Sequence, residues 1–164
     1  MSILTYPNPF LRKVCQPVTV FDDNLITIID KMRKEVVEAK GEALAANQIG
    51  IDLRIFVLSP YYRDVAVPHT VINPEIIDPT GSIRYTEGCL SIPGVRANKA
   101  RYQRFILKYQ DETGTQKTFD TKEFYAIVVQ HEIEHLNGKL FIDDLSPIEA
   151  NRIANKINKL RAKK

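Results

Sequence analysis

The sequence has few metal-binding side chains and no long apolar run: its 164 residues include only three histidines and two cysteines. No stretch approaches the ~20 consecutive apolar residues that a membrane-spanning helix requires, so no membrane partner is expected. The first residues show no charged region followed by an apolar segment, so we expect no signal peptide. A net charge of +3 is too small to indicate nucleic-acid binding by itself, and no DNA partner is predicted.

The rest of the composition is ordinary for a globular protein, with 44% hydrophobic and 26% charged residues. A chain of this length can bury a substantial hydrophobic core, and we find no internal repeat, low-complexity tract or linker. These features predict a single domain over residues 1–164 that functions in the cytoplasm. In that compartment Cys15 and Cys89 are expected as reduced thiols, so each needs a separate explanation.

The segment V-V-Q-H-E-I-E-H-L-N-G contains two of the three histidines. His131 and His135 are four residues apart, so on a helix both imidazoles project from one face. Glu132 lies beside the first of them. This H-E-x-x-H spacing presents two nitrogen ligands to a metal ion and a carboxylate that transfers protons. The alternative is a buried helix with two unrelated histidines, but random placement of three histidines produces H-E-x-x-H in roughly 1% of such sequences or fewer.

Two histidines leave a metal site short of one ligand, and a cysteine thiolate is a suitable third. Cys89 lies in E-G-C-L-S-I-P-G, where two glycines and a proline interrupt the strand pattern. A free cysteine is more often a small buried hydrophobic residue. Cys15 is the competing ligand, but its neighbours K-V-C-Q-P include no glycine, so we favour Cys89. His69, beside Pro68, is predicted to be a surface or capping residue.

An apolar stripe predicts a first helix after Asp22 or Asp23, either of which can cap it. The stripe consists of Leu25, Ile28, Ile29, Met32 and Val36. Gly41 is expected to end this helix in the left-handed conformation. The following residues, 41–50, are mostly small. They form either a tight turn or a backbone that a substrate can approach.

Two more helices are predicted in the second half of the chain. One begins after a capping residue, Thr121, and carries an inward-facing stripe of Phe124, Ile127, Val128, His131 and His135. The other begins at a capping box in residues 146–149. Its basic end, residues 152–164, is either a solvated terminus or a docking surface for a polyanion such as RNA.

Strands are predicted at residues 54–59, at residues 70–77 and in a hairpin that joins residues 101–111 to 115–120. Pro74 interrupts the second of these, which indicates an edge strand or a bulge. Residues 3–12 read as an extended, proline-punctuated arm over the surface.

Three blocks, G-E-A-L-A-A-N-Q-I-G, E-G-C-L-S and Q-H-E-I-E-H, together resemble the bacterial type of peptide deformylase. These metal enzymes remove the N-formyl group from the N-formylmethionine of nascent polypeptides and release formate. The resemblance extends over essentially the whole chain and includes G-K-L-F-I-D-D-L-S-P after the metal helix. It implies an α+β fold in which antiparallel or mixed sheets pack around a central H-E-x-x-H helix, with an N-terminal and a C-terminal helix.

The resemblance also implies residue roles. Cys89, His131 and His135 become the metal ligands, Glu132 the general acid and base, and Gln48 and the Leu90 N–H the oxyanion donors. The implied substrate-binding residues are Gly41, Glu42, Ala43, Tyr85, Gly88, Phe124, Ile127 and Val128. The resemblance implies that the peptide main chain lies beside residues 41–43 and 88–90. The aromatic and aliphatic side chains of this set would surround the methionine side chain.

One divalent ion is implied per chain, Fe²⁺ in the cell, with Zn²⁺, Ni²⁺ or Co²⁺ as alternatives in isolated protein. The implied partners are N-formylmethionyl peptides, nascent chains and, through the basic last helix, the ribosome. Zinc proteases share H-E-x-x-H but not E-G-C-L-S, and they usually complete the ligand set with His or Glu. A metalloprotease therefore fits the sequence less well.

The chain departs from the family where Gly41-Glu42-Ala43 replaces a usual glycine–apolar–glycine block. If the third position requires φ > 0, Ala43 costs about 1 kcal/mol there. Its methyl group would also crowd the peptide, and Glu42 adds a charge. Downstream, Lys99 and Tyr102 stand where valine and proline are common in the family. We therefore expect intact chemistry with a shifted substrate affinity or side-chain preference. The alternative is a divergent metal-binding or ribosome-associated protein with weak or altered activity.

Overall fold

The computed structural model describes residues 3–161, which form an α+β fold. In chain order its elements are α1 (Asp23–Glu38), β1 (Ala43–Ala45), β2 (Ile55–Leu58), β3 (Thr70–Thr80), β4 (Ile83–Cys89), β5 (Ile92–Arg101), β6 (Arg104–Gln110), β7 (Gln116–Lys122), α2 (Glu123–Leu136) and α3 (Pro147–Arg161). Two short 3-10 helices cover Pro9–Arg12 and Ala46–Ile49. No helix in residues 3–161 has the length and apolar character to cross a membrane.

The strands form two antiparallel sheets, one of five strands in the order β1-β2-β3-β6-β7 and one hairpin of β4 and β5. Within the described chain β1 pairs only with β2, and β4 only with β5, so each strand keeps one free edge. A free edge offers unpaired backbone N–H and C=O groups to another extended segment.

Helix α2 is the centre of the fold, as predicted. Ala126, Val129 and Ile133 pack against Phe56 and Leu107 of the five-stranded sheet. The helix also contacts β5 of the hairpin. Because α2 is apolar on most of its circumference, it is stable only when buried between other elements. Buried between them, it holds the H-E-x-x-H segment at the junction of the two sheets.

Helices α1 and α3 cover separate apolar surfaces. The α1 stripe packs on Leu44, Ile55 and Val57. Ile153 and Ile157 of α3 pack with Ile92, Val95 and Ala97 of β5. At the predicted capping box that begins α3, the Ser146 hydroxyl accepts from the Glu149 N–H at 3.4 Å and donates to the Glu149 carboxylate at 2.8 Å. Residues 162–164 of the predicted basic end, and the side chain of Arg161, lie outside the described part of the chain.

Two helix boundaries differ from the predictions. Asp22 caps α1 by accepting a hydrogen bond from the Leu25 N–H at 2.9 Å, but the left-handed residue after α1 is Lys40, with φ of 54°, and not Gly41. Thr121 does not cap α2, because its hydroxyl donates to the Phe119 carbonyl and Lys122 occupies the cap position without a side-chain bond. Gly41 has a different role, described with the site.

The predicted strands are present, and the proline in β3 marks a bulge. The β3–β6 register shifts between Ile72 and Glu75, and Asn73 there has φ of 51°. The edge-strand alternative is wrong, because β3 pairs with both β2 and β6. The bulge turns the Asn73 amide toward Val18, whose N–H and C=O it binds at 2.9 and 2.8 Å. Pro74 lies in this bulge, where its lack of an N–H does not interrupt the regular pairing of the sheet.

Candidate active site

Three predicted ligands meet where β4 ends against α2. The ligand atoms of Cys89, His131 and His135 all lie within 4.8 Å of one another. The Cys89 Sγ is 3.1 Å from the His135 Nε2. The structure thus brings Cys89, not Cys15, to the histidine pair. Cys15 is packed in the core between α2 and the five-stranded sheet, and burial raises the pKa of its thiol to about 11. His69 is separate from the cluster, with Nε2 3.2 Å from the Asp64 carbonyl.

A buried carboxylate orients the first histidine. The His131 Nδ1 lies 2.8 Å from Glu87 Oε2. Arg101 holds that carboxylate from the other side, with Nε and one terminal nitrogen at 2.6 and 2.7 Å from its two oxygens. This pair leaves Nε2 as the nitrogen through which His131 can bind a metal, and such partners fix the ring orientation of metal-binding histidines.

The cluster favours a positive charge at its centre. Burial disfavours the Cys89 thiolate, but the charge of His135 and hydrogen bonds from both histidines hold the pKa of Cys89 well below its usual value. Burial raises the pKa of Glu87, but Arg101 and His131 outweigh it and lower that pKa to about 2. Burial lowers the pKa of His131, yet Cys89 and Glu87 raise it to about 10. A metal cation can supply the positive charge that protons otherwise supply here.

Glu132 stands beside the ligands and is 4% exposed. Within the described residues its Oε2 has no hydrogen-bond partner, and neither does the His135 Nδ1. Burial raises the pKa of Glu132, although the charges of the two histidines oppose that effect. A buried carboxyl group with an unused oxygen next to a metal-ligand cluster is suited to accept and return a proton.

The side-chain amide of Gln48 points its nitrogen toward Cys89 of the ligand cluster. Its Oε1 accepts a hydrogen bond from the Ala45 N–H at 2.8 Å, so its Nε2 must face the cluster. The Nε2 donates to the Ser91 hydroxyl at 3.0 Å and lies 3.5 Å from the Cys89 Sγ. The N-terminal arm holds the backbone of this residue, because the Leu4 N–H donates to the Gln48 backbone carbonyl.

A cleft of about 990 Å³ opens above the cluster. Every predicted site residue lines it except His135, which is buried behind the others at 1% exposure. Strand β1 and strand β4 border the cleft on two sides. Phe124 and Tyr85 form an aromatic wall with ring centroids 5.4 Å apart, next to Ile127 and Val128. Leu90, directly after β4, contributes to the rim.

At Gly41 a side chain would press on Leu90, whereas the backbone angles of Gly41 would accept one. A Cβ atom at this position would lie 2.6 Å from the Leu90 Cδ1. The two sides of the cleft therefore approach each other closely at Gly41 and Leu90. The suspected strain at Ala43 is absent, because this residue belongs to β1 and is not among the non-glycine residues with positive φ.

The charge of Glu42 is paired within the rim of the cleft. Its carboxylate pairs with Arg63 at 3.2 Å, and both side chains are more than half exposed. The Arg63 guanidinium lies 4.5 Å from the centroid of the Phe124 ring, a cation–π contact that extends the aromatic wall.

Sequence reasoning missed several of these residues. Glu87 belongs to the quoted E-G-C-L-S block, and its position two residues before Cys89, on the same face of β4, was the available signal. Ser91 belongs to the same block, two residues after Cys89, whereas Arg101 and Arg63 gave no comparable signal because each acts only through a tertiary contact.

The buried carboxyl group and the amide donor converge on the same three ligand atoms, at the floor of a cleft with strand edges on both sides. Fold and site together define a metal-dependent hydrolase that acts on an amide bond. A sequence model of the polypeptide deformylase family matches residues 1–151, and the chain belongs to that family.

Individual relatives agree with this assignment. The chain is 39% identical to a peptide deformylase of Alkalilimnicola ehrlichii, over 98% of this chain and 90% of the relative. It is 40% identical to that of Hydrogenovibrio crunogenus, over 97% and 94%. The crystal structure of a Legionella pneumophila peptide deformylase superposes with a TM-score of 0.90 at 37% identity, over 98% and 95%. The chain is thus a hydrolase with deformylase function, and its substrates are formylmethionyl peptides.

Proposed function

We propose that this enzyme hydrolyses the formamide bond of N-formylmethionine on nascent polypeptides, releasing formate and a free N-terminus. In this proposal residues 1–164 act as one catalytic domain in the cytoplasm. The convergence of the Cys89, His131 and His135 ligand atoms within 4.8 Å, beside a buried carboxyl group, is the observation that carries the proposal.

Cys89, His131 and His135 would hold one divalent ion. Two observations support binding of an ion by these residues. The electrostatics of the cluster favour a cation. Buried polar atoms of Glu132 and His135 have no hydrogen-bond partner within residues 3–161. When bound, the ion supplies Lewis-acid chemistry that polarises a carbonyl oxygen and lowers the pKa of water. We assign Fe²⁺ in the cell. Zn²⁺, Ni²⁺ or Co²⁺ are alternatives in isolated protein, since one thiolate and two imidazoles suit all four ions.

Glu132 moves the protons in this mechanism. Its carboxylate takes a proton from the attacking water and returns it to the departing amine nitrogen. Burial keeps the carboxyl pKa raised, which favours a group that must both accept and donate. Gln48 Nε2 and the Leu90 N–H donate hydrogen bonds to the oxygen that becomes negative on the formyl carbon, and one such donor is commonly worth about 3 kcal/mol.

The free edges of β1 and β4 would bind the peptide main chain as an added strand, beside residues 41–43 and 88–90. The methionine side chain then enters the apolar pocket of Tyr85, Phe124, Ile127 and Val128. Gly41 supports this arrangement because a side chain there would displace Leu90 from the edge of the cleft.

The activity can be tested with anaerobically iron-loaded protein and formyl-Met-Ala-Ser, by measuring formate release. We expect Glu132→Gln to reduce kcat by roughly 10²–10⁴-fold, because the general acid and base is lost. Metal content should stay unchanged, since Glu132 is not a ligand. Full activity in this variant would exclude the proposed role of Glu132. Absence of formate release from the unmodified chain on every formyl-Met peptide would exclude the proposed function.

We further propose that the end of α3 docks on the ribosome through its basic residues. Ile153 and Ile157 anchor α3 to β5, so deleting residues 159–164 removes basic residues while keeping that anchor. The deletion should weaken co-sedimentation with ribosomes. Equal sedimentation of both forms would contradict ribosome docking through this segment.

A further inference from the structure

The walls of the cleft carry many more positive than negative side chains. Five basic residues line it, from four different parts of the chain: Lys40, Arg63, Arg96, Arg152 and Lys156. Three acidic residues line it as well: Glu42, Glu87 and Glu132.

The three acids do not neutralise the basic wall. Glu87 and Glu132 are buried at the floor, with exposures of 5% and 4%, and Glu87 is bound by Arg101. Glu42 is paired with Arg63. Within residues 3–161 the other four cations form no ion pair. We name Lys40, Arg96, Arg152 and Lys156 the basic wall.

The positions of the basic wall relate it to the peptide path. Arg96 of β5 is the register partner of Gly88 of β4. A Cβ at Gly88 would lie 3.6 Å from the Arg96 Cγ and 3.8 Å from its Nε, so the Arg96 side chain lies along Gly88. Gly88 belongs to the strand edge beside which the substrate is proposed to run. A peptide bound there extends past an unpaired guanidinium.

Helix α3 adds two further cations on the same side. Arg152 and Lys156 are four residues apart, which places them on one face of the helix. The neighbouring Ile153 and Ile157 are buried against β5, and this packing holds the Arg152–Lys156 face toward the cleft. The first part of α3 therefore lines the cleft, and only the later residues of the helix are available for the proposed ribosome docking.

We propose that the basic wall makes this enzyme prefer formylmethionyl peptides with an aspartate or glutamate in the two residues after methionine. The inference rests on the proposed function. In an extended peptide successive side chains point to opposite sides, so one of these two positions faces the basic wall. Complementary charge there strengthens substrate binding and disfavours lysine or arginine at the same position.

The test compares kcat/KM for formyl-Met-X-Ser-amide and formyl-Met-Ala-X-amide, where X is Asp, Asn or Lys. The C-terminal amide removes the terminal carboxylate, which would otherwise occupy the basic wall in every short peptide. Asn matches the shape of Asp without its charge. In at least one series we expect the Asp peptide to exceed the Lys peptide by about tenfold at low ionic strength, mainly through KM. The ratio should fall toward one in about 0.5 M salt.

The double variant Arg152→Gln/Lys156→Gln should reduce the Asp-to-Lys ratio by about threefold or more, because two of the four cations are removed. Lys34→Gln is the matched control, since Lys34 is an exposed lysine of α1 outside the cleft and its removal should leave the ratio unchanged. Expressing the result as a ratio within each protein separates selectivity from any loss of folded enzyme.

Three results would overturn parts of this account, and they are distinguishable. Formate release with an Asp-to-Lys ratio of one or less in both series contradicts the preference but leaves the deformylase function intact. A high ratio that the double variant does not reduce excludes Arg152 and Lys156 as its cause. Absence of turnover on all the peptides contradicts the proposed function itself.

Discussion

The floor and the rim of the cleft contain similar residue types in opposite physical situations. At the floor, Glu87 and Arg101 have side chains only 4% and 3% exposed and bind each other through two short hydrogen bonds. At the rim, Glu42 and Arg63 form a single contact, with side chains 52% and 66% exposed. Charges interact strongly where water is excluded and weakly where it is not.

This difference sets what a substitution costs at each of the two places. A change at the floor would leave a buried charge unpaired, and the cost of that is several kcal/mol. Of the departures recognised in the sequence, Glu42 and Ala43 lie at the rim or in an unstrained edge strand. Lys99 is buried, but its charge is paired with Glu134 at 2.8 Å. The rim can therefore vary in charge, and with it in substrate preference, while the chemistry at the floor stays the same.

The largest contrast is expected between the two cysteines. Cys89→Ala removes the thiolate from the ligand cluster, so metal retention and formate release should both be lost. Metal content measured after dialysis and the formate assay check this expectation. Cys15→Ala is the matched control, because Cys15 is equally a free cysteine but packs in the core. It should keep metal and activity and lose about 1 kcal/mol of stability. Metal loss in Cys15→Ala alone would reverse the ligand assignment.

A second contrast uses two arginines that each bind a carboxylate through two hydrogen bonds. Arg101→Met removes the ion pairs of Arg101 with Glu87 and with Glu134 and leaves the buried Glu87 with His131 as its remaining partner, so the free energy of unfolding should fall by about 3–5 kcal/mol. Arg104→Met breaks an equally well-formed pair with Asp120, whose side chains are 60% and 44% exposed. Because water surrounds both charges of that pair, its loss should destabilise the protein much less than the loss of Arg101.

Urea unfolding of the two variants measures both values. The Arg101 variant should also bind metal more weakly, because Glu87 then no longer holds His131 in a fixed position. Equal destabilisation by the two substitutions would show that burial does not separate the floor pair from an exposed pair elsewhere on the protein.

The smallest effect is expected at the rim itself. Glu42→Ala breaks only the exposed pair with Arg63, so the free energy of unfolding should change by about 1 kcal/mol or less. The formate assay should show a change in KM and not in kcat, since the Glu42 carboxylate pairs with Arg63 at the rim. A large loss of kcat in this variant would place Glu42 in the chemistry and break the distinction between floor and rim.

Local features of the fold were predictable where neighbouring residues alone decide them. The Asp22 cap, the apolar stripe of α1 and the Ser146 capping box are set within a few residues. Helix ends were less predictable. Lys40 takes the left-handed position and Gly41 instead packs closely against Leu90, a residue of a distant segment. Pro74 similarly allowed either a bulge or an edge, and only the strand order decided between them.

The sequence by itself determined the elements with a local signature: the H-E-x-x-H spacing, the choice of Cys89 over Cys15 from its glycine neighbours, and the family. Only the tertiary structure decided what those residues contact. The Arg101–Glu87–His131 chain joins a strand, its neighbour and a helix. The basic wall likewise unites Arg96 with the first part of α3. Long-range electrostatics depends on distance in space and on burial, and neither quantity is determined by separation along the chain.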